Sequence, residues 1–125
     1  MRGIAGVSAG LVAWIVVATV GNMALRAVLP DYAAAEPAMT FTLPMMFARL
    51  LLGAASSIVG GAVTAWIVRG DRRAPWILGV VMVVVFIPVH IGLWDKFPLW
   101  YHATFPVSLL PLTLLGASLS ARNRR

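Results

Sequence analysis

Cysteine is absent from this chain, which removes disulfide exchange, thiol catalysis and thiolate metal centres and leaves the redox compartment open. Charge is scarce. Charged residues make up 11% of the 125 positions and apolar ones 61%, where a soluble domain carries about 25% and 45–50%. Acid is scarcer still, with four Asp and Glu against ten Lys and Arg. There is no long linker, no low-complexity tract and no Gly-x-Ser-x-Gly elbow around the serines Ser56 and Ser57. Mean hydropathy is +0.91, more oil than a soluble core of this length needs.

What the chain has instead is four long apolar stretches, at about 4–29, 43–68, 75–94 and 100–119. Each is long enough to cross a bilayer core, which takes about 20 residues. The expectation is an all-α polytopic membrane protein, a bundle of four transmembrane helices forming a single domain over 1–125. A signal peptide is the competing reading of the first stretch, with Ala33 and Ala35 as a cleavage site. Signal cores are typically about 7 to 15 residues, and this stretch is far longer.

Basic residues alternate between joints. Arg2, Arg69, Arg72, Arg73, Arg122, Arg124 and Arg125 sit at the two termini and the second joint, while the first and third joints hold only Lys96. Because basic residues near span ends stay in the cytoplasm, both termini and 69–73 are expected inside, with 30–42 and 95–99 outside. Trp66 and Trp76 at one boundary, and Tyr32, Trp94, Trp100 and Tyr101 at the other, form the expected aromatic belts. A net charge of +6 that flanks spans calls for anionic lipid headgroups, not nucleic acid.

Two stripes of small residues are expected to hold the bundle. Gly53, Ser57, Gly61 and Ala65 form an i, i+4 ladder on the second span, widened by Gly60 and Thr64. The first span offers Gly6 and Gly10, continuing through Trp14, Ala18 and Asn22 to Arg26. Small residues let helices approach closely in lipid, so these faces are expected to meet within the chain, with a homo-oligomer interface as the other use. Pro106 and Pro111 each remove a helix hydrogen bond from the fourth span, and Thr104 or Ser108 is expected to satisfy the freed carbonyls.

The candidate polar cluster is Arg26, Arg49, His90, Asp95 and His102, all toward the outer side on this topology. Arg49 continues the ladder of Gly53 and Ser57, about two turns into the second span. An arginine there costs about 2.5 to 3.5 kcal/mol on insertion scales, which makes it the first candidate for function. The plain expectation pairs Arg49 with Asp31, Glu36 or Asp95, lets Arg26 snorkel, and caps His90 with a backbone carbonyl. The sharper one makes the cluster a site for an anion or lipid headgroup, since guanidinium binds phosphate or carboxylate through two donors. His90 and His102 with Asp95 bracket the third joint, a set that resembles no metal-ligand spacing. No cofactor, no metal and no catalytic residue is predicted.

The segments Tyr32-Ala33-Ala34-Ala35-Glu36-Pro37, Phe41-Thr42-Leu43-Pro44-Met45 with Arg49-Leu50, and Lys96-Phe97-Pro98-Leu99-Trp100-Tyr101-His102 give the chain a resemblance to a family of small uncharacterised bacterial four-span inner-membrane proteins. The resemblance implies four helices and a multi-pass place in the plasma membrane of a bacterium; it carries over no functional residue. Small multidrug transporters are similar in size, but the first span here contains no acid. The functional expectation is a non-enzymatic membrane protein, structural or accessory, that recognises a lipid headgroup or another anion outside. Its partners are membrane lipids and either a second copy or a larger membrane protein. The alternative is a small transporter or channel subunit.

Overall fold

In the computed structural model the described residues are 2–29 and 31–123. Pro30, Arg124 and Arg125 lie outside them, and the side chains from Ala121 onward, Arg122 included, are not described. The described chain is all-helical: α1 (Arg2–Val28), α2 (Tyr32–Ala35), α3 (Leu43–Val68), α4 (Arg73–Gly92) and α5 (Leu99–Asn123). Three-residue 3-10 turns at Glu36–Ala38 and Trp94–Lys96 interrupt the longer connections. α1, α3, α4 and α5 are long and apolar enough to cross a membrane.

Local chemistry sets the element ends. Pro44 stands in the first turn of α3, where a missing N–H removes no helix bond. That helix stops where Arg69 turns left-handed (φ 49°) and Gly70 follows at φ 96°, a conformation that suits glycine. The Asp71 carboxylate then accepts the Arg73 backbone N–H at 2.9 Å and opens α4. Asp31 and Met39, also left-handed, bound the α2 segment. That segment folds the connection between α1 and α3 into helix, a feature the apolar pattern does not announce.

α3 is the central helix, packed most extensively against α1 and α5, and α4 lies mainly on α5. Two ends can be distinguished. The seam end holds 2–10, the 69–72 joint and the last turns of α5; the paired-loop end holds residues 31–42 and 93–98. At the seam end Thr64 donates from Oγ1 to the Gly6 carbonyl at 2.8 Å, and a Cβ placed on Gly60 would lie 3.0 Å from the Gly10 carbonyl oxygen. Trp14 Nε1 donates to Ser57 Oγ at 3.0 Å, and Ser57 donates to the Gly53 carbonyl.

The ladder on α3 is shared between two neighbours. Gly60, Thr64 and Ser57 face α1, as expected, whereas Gly53 and Gly61 face α5, at Phe105 and Thr113. A 3.6-residue helix carries i, i+4 positions slowly around its surface, so one long ladder reaches both partners. In α5, the prolines free the carbonyls of His102 and Val107. The expected hydroxyls go elsewhere: Thr104 donates to the Trp100 carbonyl and Ser108 to that of Phe105. Trp14, Leu78, Met82, Phe105 and Leu109 form the mid-bundle core. A second cluster of Tyr32, Phe41, Met45, Phe97 and Tyr101 fills the paired-loop end.

Candidate functional site

The second apolar cluster encloses a cation. Arg49, about one turn after Met45, donates from Nη1 to Tyr32 Oη at 2.9 Å and from Nε to Tyr101 Oη at 3.3 Å. Its guanidinium carbon lies 4.7 Å from the centroid of the Phe41 ring, within cation–π range. The expected carboxylate partner is not there. Among the described residues the ion pair of this end is Arg26 with Glu36, and Arg49 is held by phenol oxygens and a ring face.

The two cations are linked through a hydrogen-bond chain. Tyr32 donates from its hydroxyl to Asn22 Oδ1 at 2.7 Å, and Asn22 Nδ2 donates to Glu36 Oε2 at 2.6 Å. Glu36 then meets Arg26. Glu36 reaches Asn22 because α2 and its 3-10 turn fold back over the end of α1. Burial raises the pKa of Glu36, but the Asn22 amide and the Arg26 guanidinium outweigh it, with further help from the Arg49 charge. The net result is a carboxyl held below its ordinary value.

The histidines do come together. His90 Nδ1 and His102 Nδ1 are 2.7 Å apart, and His102 Nε2 lies 3.2 Å from the Trp94 carbonyl oxygen. A carbonyl only accepts, so in the neutral pair His102 carries its proton on Nε2 and receives one from His90 Nδ1. The carbonyl cap expected for His90 thus belongs to His102, whose ring also stacks on Trp94 with centroids 4.9 Å apart. Asp95 is exposed on the 3-10 turn and is bonded to neither histidine. The described residues contain no group of three His, Cys, Asp or Glu side chains able to hold a metal.

Beside this network lies a cleft of about 410 Å³. Arg26, Glu36, Asn22, Arg49 and Met39 line its upper part; Trp14, Gly53, Phe86 and Phe105 line its depth. The α1 stripe therefore changes role along its length. Gly6, Gly10 and Trp14 are buried, while Ala18, Asn22 and Arg26, further along the same stripe, form one wall of the cleft.

Of the five candidates, Arg26 and Arg49 line the cleft, His90 and His102 pack on its Tyr101 and Phe105 wall, and Asp95 stands apart. Sequence reasoning read Tyr32 and Tyr101 as belt residues only. One signal was available: the chain has just two tyrosines, both at the depth of an arginine with few acids to pair with. Comparison with family models, curated proteins and solved structures finds no match.

Proposed function

We propose that this is a non-enzymatic, multi-pass protein of a bacterial plasma membrane, with both termini cytoplasmic, that binds the anionic headgroup of a lipid at its outer face. The observation that carries the reading is Arg49. It is a half-buried cation on a membrane-length helix, it has no carboxylate within 4 Å among the described residues, and it lines a cleft. A guanidinium has five N–H donors, and the tyrosines use two of them. The remaining donors suit phosphate or carboxylate, the groups a guanidinium binds through paired bonds.

The orientation rests on the basic residues at the seam end, Arg69, Arg72 and Arg73 among them. It puts the cleft at the outer leaflet. A conduit is less favoured, because at the seam end α1 and α3 touch at Gly10 and Gly60, and α3 and α5 touch at Gly61 and Gly116.

Native mass spectrometry of gently solubilised protein tests the reading. The wild type should retain a lipid adduct that an Arg49→Leu variant loses; spectra free of adducts for both would overturn it. For orientation, a reporter fused after Arg125 should be active only in the cytoplasm.

A further inference from the structure

We infer that Glu36 sets the charge this site accepts, committing Arg49 to a headgroup with one negative charge, such as a phosphodiester, over a doubly charged phosphomonoester. This rests on the headgroup reading and narrows it. Among the residues that line the cleft, the charged ones are Arg26, Glu36 and Arg49. Glu36 meets Arg26 in an ion pair and accepts the Asn22 amide at 2.6 Å, so one of the two guanidiniums already has its anion. Two guanidiniums and one carboxylate leave the lining a net charge of +1, and that charge belongs to Arg49.

The fold holds Glu36 in that role. The chain turns left-handed at Asp31 and again at Met39, and the segment between them lays Glu36 against the wall that carries Asn22 and Arg26. Its side chain is 17% exposed against 49% for Arg26, so the carboxylate is the more enclosed partner. Burial opposes its ionisation, but the Asn22 and Arg26 contacts outweigh burial and the Arg49 charge adds to them. Glu36 is therefore ionised at neutral pH. The other ionisable groups of this end leave the count unchanged. Asp31, Asp95 and Lys96 are exposed, Tyr32 and Tyr101 serve Arg49 as phenols, and α4 brings Phe86 to the lining while its His90 bonds His102.

Charge number decides because two energies scale differently. Attraction to the site grows in proportion to the ligand's charge, whereas the cost of taking that charge out of water grows as its square. One unpaired cation therefore suits one negative charge, and a second negative charge needs a second free cation. Glu36 keeps Arg26 from filling that place. A phosphodiester carries a single charge, while a phosphomonoester approaches two above its second ionisation at about pH 6. The monoester then enters the wild-type site only by taking up a proton.

The test titrates dioleoyl phosphatidylglycerol and dioleoyl phosphatidic acid, which share their tails, into phosphatidylcholine nanodiscs holding the full chain, with empty nanodiscs subtracted and Arg49→Leu alongside. Between about pH 7 and pH 9 the wild-type affinity for the diester should stay level, while that for the monoester should fall about ten-fold per pH unit, the mark of one proton taken up. This slope tests the charge limit without any substitution. In Glu36→Gln the freed Arg26 supplies the second cation, so the fall should vanish, and adding Arg26→Gln to that variant should restore it. Level, Arg49-dependent binding of the monoester by the wild type would overturn the inference and leave the headgroup reading standing. A fall that persists in Glu36→Gln would refute Glu36 as its cause. Binding of neither lipid would remove the headgroup reading together with the inference.

Discussion

At the seam end, α1 and α3 approach until a threonine hydroxyl bonds a glycine carbonyl across the interface; at the paired-loop end, the same helices carry Asn22, Arg26 and Arg49 and have a cleft beside them. The first arrangement uses small side chains and backbone contact, the second large side chains and hydrogen bonds between them. In lipid, close packing is what draws helices together, so the seam end should carry most of the fold's stability. The polar network orders the connections around Arg49 and leaves donors and space unfilled. A site can be kept open where another part of the molecule provides the rigidity.

Filling the seam is the strongest way to break this contrast. A Cβ on Gly61 would collide with the Thr113 backbone carbonyl, and neither helix backbone can yield cheaply. Gly61→Leu should destabilise by about 3 kcal/mol, the upper part of the usual range for overpacking, seen as a large drop in thermal midpoint in detergent. Gly61→Ala should show a smaller loss and still retain the Arg49-dependent lipid adduct. Loss of the adduct at unchanged stability would mean that the two ends are not separate.

Next in size is the keystone of the network. Tyr32→Phe removes both the acceptor for Arg49 Nη1 and the donor to Asn22, leaving a half-buried cation one partner short. A loss of about 2 kcal/mol is expected. Tyr101→Phe should cost about half as much, since its contact with Arg49 is longer, at 3.3 Å. If both variants melt like the wild type, the aromatic packing of Phe41, Met45 and Phe97 alone holds this end.

The two ends were unequally legible in the sequence. The four long helices followed from apolar runs, and the α1–α3 seam from glycine spacing at Gly6, Gly10 and Gly60. Those signals are local and periodic. The partners of Arg49 were not legible, because they come from 17 residues upstream and 52 downstream, and charge logic pointed to acids. Scarcity of acid was the clue. With Glu36 engaged by Arg26 and Asn22, phenols are the remaining polar groups that an apolar surrounding can hold beside a guanidinium.

Acid pH gives a smaller effect that isolates the outer half of the network. Because the Glu36 carboxyl is held below its ordinary value in the fold, its contribution is complete above the unfolded value, about pH 4.3 for Glu, and is lost as pH falls through the lower folded value. The partner Arg26 is about half exposed, so solvent screening keeps this below about 1 kcal/mol. The wild type should lose thermal midpoint below about pH 4.3, and the difference from Glu36→Gln should shrink over the same range. A constant difference would place the stabilising contact elsewhere.

Asp95 sharpens the comparison by doing least. Its place in the sequence, between His90 and His102, groups it with them, yet position along a chain is a poor guide at a turn of three residues. The Trp94 carbonyl reaches His102, and the Trp94 ring stacks on that imidazole. Asp95, the next residue, is exposed and takes no hydrogen bond or ion pair with the cluster. Asp95→Asn should therefore leave the thermal midpoint and the lipid adduct unchanged within measurement, as expected for a surface substitution worth less than about 0.5 kcal/mol. His102→Phe keeps a ring against Trp94 while removing both polar contacts, so it should lower the midpoint where Asp95→Asn does not. If Asp95→Asn were instead the more damaging change, the histidine pair would owe its geometry to a carboxylate, and the paired-loop end would be organised by charge after all.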